Sequence, residues 1–145
     1  MLKPTIIIIS GDLTQRAKTY QFELLQSFLR CLSCEVLIVP GNHDIPLYNL
    51  FGRLFYPFKA YRKYIAKHFN AQFSTDYLAI LGVNSVDPYQ IKDGQLSSKL
   101  IKKIKQYFRL EKKAVNILFF TIILIILKVY TSLWKMKRNF FLFAQ

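Results

Sequence analysis

Apolar and polar positions alternate along this chain at two different periods. Thr5 to Ser10, TIIIIS, is an unbroken β-branched run, the pattern of a strand covered on both faces, and Gly11 breaks it. Phe22, Leu25, Phe28, Leu29 and Leu32 then recur at intervals of three and four, which predicts an amphipathic helix from about Lys18 to Leu32. EVLIV, Glu35 to Val39, is a second buried-type strand, stopped by Pro40 and Gly41. Strand, helix and strand in such quick succession form a βαβ crossover and hence a parallel sheet. LYNLFGRLFYPFKAYRKYIAKHF is aromatic and basic and predicts two short helices split near Pro57. Tyr77 to Ser85 is a third strand ending in a polar loop. Leu96, Leu100, Ile101, Ile104 and Phe108 mark another amphipathic helix with a lysine-rich polar face. No internal repeat or low-complexity linker interrupts this order, and the class is α/β.

The end of the chain changes character. Ala114 to Leu127 carries no charge, and Lys128 and VYTSLW follow. Crossing the hydrocarbon core takes roughly 20 residues. Ala114 to Trp134 reaches that length only by tolerating Lys128, at about 3 kcal/mol near the bilayer centre and less if it snorkels. The many Leu, Ile and Phe residues, each favourable by a few tenths of a kcal/mol, offset that cost. Lys112 and Lys113 on one side, and Lys135, Lys137 and Arg138 on the other, suit interface anchors. Two readings stand: a transmembrane helix over about 114–134, which is favoured, and a buried strand running into unrelated sequence. Under the first, the basic residues from Lys99 to Lys113 place the N-terminal domain, about 1–110, in the cytoplasm, with 111–145 as an apolar and basic tail.

A length of 145 residues allows one modest domain. A hydrophobic content of 52% with 16% aromatic residues excludes a disordered chain. The net charge of +13 asks for an anionic partner: nucleic acid, a phosphorylated substrate or a membrane surface. The basic residues gather after Arg53 without any nucleic-acid motif, so nucleic acid is disfavoured. Cys31 and Cys34, in CLSC, have the spacing of half a zinc site or a redox pair. No second ligand pair accompanies them, because His43 and His68 lie far away, and they read better as small apolar residues at a helix end. Met1 to Ser10 is too short an apolar run for a signal peptide.

Chemistry gathers in two loops. SGDLTQ follows the first strand and PGNHD the second, and neighbouring parallel strands deliver such loops to one rim. Asp12 and the group Asn42, His43 and Asp44 are thereby expected to meet there. Gly11 and Gly41 let the backbone turn sharply with no Cβ in the way. An Asp carboxylate can bridge two cations, an Asn carbonyl can complete a coordination sphere, and a His can donate to a phosphoryl oxygen. Either loop alone is explained by turn residues and a helix cap. The two together point to a site.

The segments IIIISGDLTQRA and VLIVPGNHDIPLYN resemble the second and third sequence blocks of calcineurin-like metallophosphoesterases, near the branch of bacterial cyclic-nucleotide phosphodiesterases. The resemblance runs from about Leu2 to Phe108, including LGVNSVDP and the DGQLSSKLI helix. It implies part of that family's sheet layer with flanking helices, two divalent ions (Mn, Fe or Zn), and hydrolysis of a phosphodiester or phosphomonoester, including nucleotides. It casts Asp12 as the metal-bridging carboxylate and Asn42 as a ligand of the second metal. His43 would bind the phosphate and protonate the leaving oxygen. Asp44 would either orient His43 or cap the next turn. Apart from the resemblance, the aromatic and basic stretch from Tyr48 to Phe69 could line a nucleotide pocket, with Tyr61 or Tyr64 stacking on a base, although aromatic residues at such spacing are more often core.

The departures from the family are equally plain. The Asp-x-His block that opens the family lies outside this chain, and Thr121 and Ile122 stand where later histidines are expected. With most ligand blocks missing, the chain is expected to be weakly active or inactive, as a truncated or frame-shifted reading frame would be. The alternative is a membrane-anchored basic interaction protein without catalysis.

Overall fold

The computed structural model describes residues 3–66, 69, 71–89, 96–121 and 123–128. Strand β1 (Ile6–Ile9), helix α1 (Thr19–Arg30) and strand β2 (Glu35–Ile38) form the expected crossover. The two strands pair in parallel, Ile6 opposite Glu35 and Ile9 opposite Ile38. Helices α2 (Leu50–Phe55) and α3 (Lys59–Tyr64) are the two short helices, parted at Pro57. A four-stranded sheet follows, built from β3 (Ala71–Ser74), β4 (Leu78–Gly82), β5 (Val115–Phe120) and β6 (Ile123–Lys128) in that order. Helix α4 (Ser98–Glu111) makes the parallel crossover from β4 to β5.

Side-chain parity assembles these elements into layers. Leu37 and Val39 of the β2 segment meet Ile80 of β4 and Phe119 of β5, with Ile6 and Ile8 packed alongside, so the two sheets share one core. Each strand's alternate positions face the other way. Leu81, Val83, Leu118 and Phe120 pack with Ile104 of α4. Ile38 packs against Phe22, Ile45, Phe58 and Tyr61 beneath α1 and α3. The order is therefore helices, two-stranded sheet, four-stranded sheet, helix. At the sheet–sheet contact a Cβ on Gly82 would strike the Phe119 ring and come within 2.8 Å of Val39 Cγ1.

Helix α4 shows local signals that agree with its packing. The Ser97 side chain accepts from the Leu100 amide, capping the N-terminus, and Lys112 ends the helix in the left-handed region at φ 49°. Buried Ile104 and half-buried Leu100 and Tyr107 face the sheet, while the lysines face outward. Tyr107 donates from its hydroxyl to the Ile80 carbonyl at 3.2 Å and the Phe73 carbonyl at 3.4 Å. Burial, and then the charge of Glu111, push that phenol above its ordinary range.

Two expectations are corrected. Strand β3 is absent from the sequence reading, since the alternation in AQFS runs for only four residues, and it forms because it pairs antiparallel with β4. Of the two readings of the segment after Ala114, the described residues support the buried strand and not the favoured membrane helix: 115–120 and 123–128 form a strand hairpin. β5 lies parallel to β4 and β6 returns antiparallel along β5, Val115 opposite Lys128. Among the described residues no helix is long and apolar enough to cross a membrane. A strand buried on both faces reads as continuous apolar sequence, and a second apolar strand directly after it in the chain imitates the length of a span. Positions 129–134 of the expected span, and His68, lie outside the described residues.

Candidate active site

The two loops meet backbone to backbone. A Cβ added to Gly11 would lie 2.9 Å from the Gly41 Cα, and one added to Gly41 would strike the Asp12 amide nitrogen and Oδ1. Gly11 has φ 92°, a conformation open to glycine at little cost. Asp12 itself is held in the left-handed region at φ 52°, the kind of outlier that persists only where the surroundings over-determine it. This apposition carries Asp12 Oδ1 to the start of the 3-10 turn Asn42–Asp44, where it accepts from the His43 amide at 3.2 Å. Asp12 and Asn42 thus stand on the same side of the sheet, at neighbouring points of one rim. Asp12 and His43 are exposed and Asn42 is half-buried, so all three are open to a ligand.

Beneath them lies Asp44, fully buried. Its Oδ2 accepts from the Gly41 amide at 2.8 Å and the Leu13 amide at 3.1 Å. Its Oδ1 accepts from the Thr14 amide at 2.7 Å and the Thr14 hydroxyl at 3.0 Å. One carboxylate therefore ties the two loops together. Burial pushes its proton affinity up, against the hydrogen bonds that favour the charged form. Of the two roles the sequence offers Asp44, the structure shows the cap: the Gly41 amide donates to Asp44 and the Asp44 amide returns to the Gly41 carbonyl at 3.2 Å.

The ring of His43 is set by another group. Its Nδ1 lies 3.1 Å from the Gln15 carbonyl. A carbonyl oxygen can only accept, so the proton sits on Nδ1 and Nε2 is left to face a ligand. The sequence reading missed Thr14, Gln15 and Leu13, whose parts are played by backbone groups and one buried hydroxyl. The only signal was a Thr two residues past Asp12. Cys31 and Cys34 are free thiols at the end of α1, away from this rim.

The second sheet reaches the same rim. Thr121, just past β5, donates from its hydroxyl to the Pro40 carbonyl at 2.8 Å. A residue at this position stands beside the PGNHD loop, and here it is a threonine. The loop after β4 is drawn in by Arg53, whose Nε donates to the Pro88 carbonyl at 2.6 Å and whose Nη1 donates to the Pro46 carbonyl at 3.3 Å. Of the two roles open to Tyr61 and Tyr64, core or base stacking, the structure shows the core. Tyr61 is buried and donates to the Ile38 carbonyl at 3.2 Å, and Tyr64 stacks on Phe22 with centroids 6.2 Å apart.

The sequence profile of the calcineurin-like phosphoesterases matches residues 2–124. The chain belongs to the calcineurin-like phosphoesterase family. A relative from Vesicomyosocius okutanii subsp. Calyptogena okutanii (strain HA), described as a "Probable cyclic nucleotide phosphodiesterase", is 28% identical over 97 residues, which cover 67% of this chain and 36% of that protein. The chain thus spans about a third of the length of the curated relative it matches. Phosphoesterases of this family act with divalent metals. Among the described residues of this member, no three His, Cys, Asp or Glu side chains cluster to hold a metal. The Asp12 carboxylate and the Asn42 carboxamide fit a share of one ion's coordination sphere, and they do not fit a pair of ions, each of which needs several N and O ligands.

Proposed function

We propose that this rim is the phosphate-facing half of a phosphoesterase site that takes phosphodiesters, cyclic nucleotides among them. The observation that supports the reading is the bond from the His43 amide to Asp12 Oδ1, which joins the Asp12 loop to the turn that carries Asn42 and His43. Asp12 and Asn42 offer oxygen donors for a cation. His43, fixed through Nδ1, offers Nε2 to a phosphoryl or leaving-group oxygen, donating a proton in its charged form. Asp44 takes no part in proton transfer; it positions both loops. When bound, divalent metal in this family would supply an activated water and neutralise charge developing on phosphorus.

With two metal donors, residues 1–145 by themselves bind Mn²⁺ weakly and turn over slowly. Bis-p-nitrophenyl phosphate hydrolysis and thermal melting, each with and without Mn²⁺, test this. A small stabilisation by Mn²⁺ that disappears in Asp12→Ala and Asn42→Ala is expected. No Mn²⁺ effect in either assay, or the same effect in both variants, would overturn the assignment of the donors. Hydrolysis as fast as that of complete family members would overturn the expectation of weak activity.

A further inference from the structure

We infer that Arg16 and Tyr48 form the subsite that recognises the part of the substrate beyond its phosphate, and that this part is a planar aromatic base. The inference rests on the phosphoester reading of the rim. Arg16 directly follows Gln15, whose carbonyl fixes His43, and Tyr48 lies on the segment that leaves the same PGNHD loop. The Arg16 guanidinium carbon sits 5.5 Å from the centroid of the Tyr48 ring, within cation–π range. The pair spans the two loops at the edge of the site.

Tyr48 is 75% exposed, so its ring is available to a ligand. The guanidinium lies beside the ring, and most of the surface of Tyr48 remains exposed. A second exposed tyrosine, Tyr89 at 76%, stands at the neighbouring turn. Arg53 bonds the carbonyls of Pro46 and Pro88, so it holds the segments bearing the two tyrosines against each other. A nucleoside phosphate matches this arrangement: its phosphate meets His43 and the 3-10 turn, its base meets an exposed aromatic face, and the guanidinium adds positive charge near the anion.

An NMR amide-shift titration of the 145-residue protein with AMP, ribose 5-phosphate and inorganic phosphate, in Mg²⁺, tests the assignment. AMP should bind about tenfold more tightly than ribose 5-phosphate, since a stacked base contributes on that scale. The advantage should vanish in Tyr48→Leu and survive in Tyr48→Phe, with ribose 5-phosphate affinity unchanged by either. Equal affinity for AMP and ribose 5-phosphate in the wild type, or an AMP advantage that persists in Tyr48→Leu, overturns the subsite while phosphate-induced shifts at residues 41–44 keep the phosphate reading. If none of the three ligands shifts those amides, the phosphate reading itself fails and the subsite with it.

Discussion

The two sheets of this protein are made of similar strands and end in different chemistry. β1 and β2 finish in glycine turns that deliver a carboxylate, a carboxamide and an imidazole, with a buried carboxylate tying the turns together. β4 and β5 finish on the same rim, but Thr121 brings a hydroxyl that only closes onto the Pro40 carbonyl. The apolar strands set where a side chain is displayed, and the first residues of each turn set what it can do. That separation lets a sheet remain intact while part of the chemistry on its rim changes.

The largest expected effect comes from the glycines, one in each sheet region. Gly41→Ala places a methyl group against the Asp12 backbone, which has nowhere to go, and is expected to lose about 3 kcal/mol in chemical denaturation and to shift the Asp12 and His43 amide signals. Gly82→Ala meets the Phe119 ring and the Val39 side chain, which can repack, so a loss of about 1–2 kcal/mol with the rim signals unmoved is expected. Equal losses with unmoved rim signals in both would break the contrast. Comparable in size to Gly41→Ala, Asp44→Ala strands the amides of Leu13, Thr14 and Gly41 and should lose about 3 kcal/mol, while Asp44→Asn, which keeps an acceptor oxygen, should lose about half as much. Urea denaturation of the pair reads the difference.

Smaller effects lie on the other sheet. Thr121→Val leaves the Pro40 carbonyl without its donor and is expected to lose about 1 kcal/mol. Thr121→His puts a nitrogen ligand beside the PGNHD loop, and Mn²⁺ affinity measured by calorimetry should rise about tenfold if that position lies at the metal rim. Tyr107→Phe should lose about 1 kcal/mol by removing the bonds from α4 to the Phe73 and Ile80 carbonyls. The Tyr107 phenol is raised above its ordinary value of 10.0, so the stability it contributes is full below that pH and is lost as pH rises through the folded-state value. Melting curves above pH 10 should therefore fall more steeply for the wild type than for Tyr107→Phe.

The crossover and the paired loops were legible because their signals are local. A β-branched run, a helix period, a second run and two glycine turns specify β1, α1, β2 and the rim without reference to anything distant. β3 was not legible, because its apolar–polar alternation, AQFS, is only four residues long, too short to stand out without the pairing with β4. The end of the chain was ambiguous between a strand and a membrane helix for the opposite reason. β5 is so thoroughly enclosed, with Phe119 fully buried between sheets and Leu118 against α4, that it shows the continuous apolarity of a membrane segment. The role of Asp44 was half legible: its place in the motif marked it as important, but only the fold reveals that its partners are Leu13 and Thr14 some thirty residues away.

Binding of Mn²⁺ observed through its paramagnetism bears most directly on the union of the two turns. Amide signals of residues 11–14 and 41–44 should broaden together at the same sub-stoichiometric Mn²⁺ concentration, and that broadening should be lost in Asp12→Ala. Broadening confined to one loop, or centred elsewhere in the molecule and indifferent to Asp12, would contradict a shared site at the ends of β1 and β2.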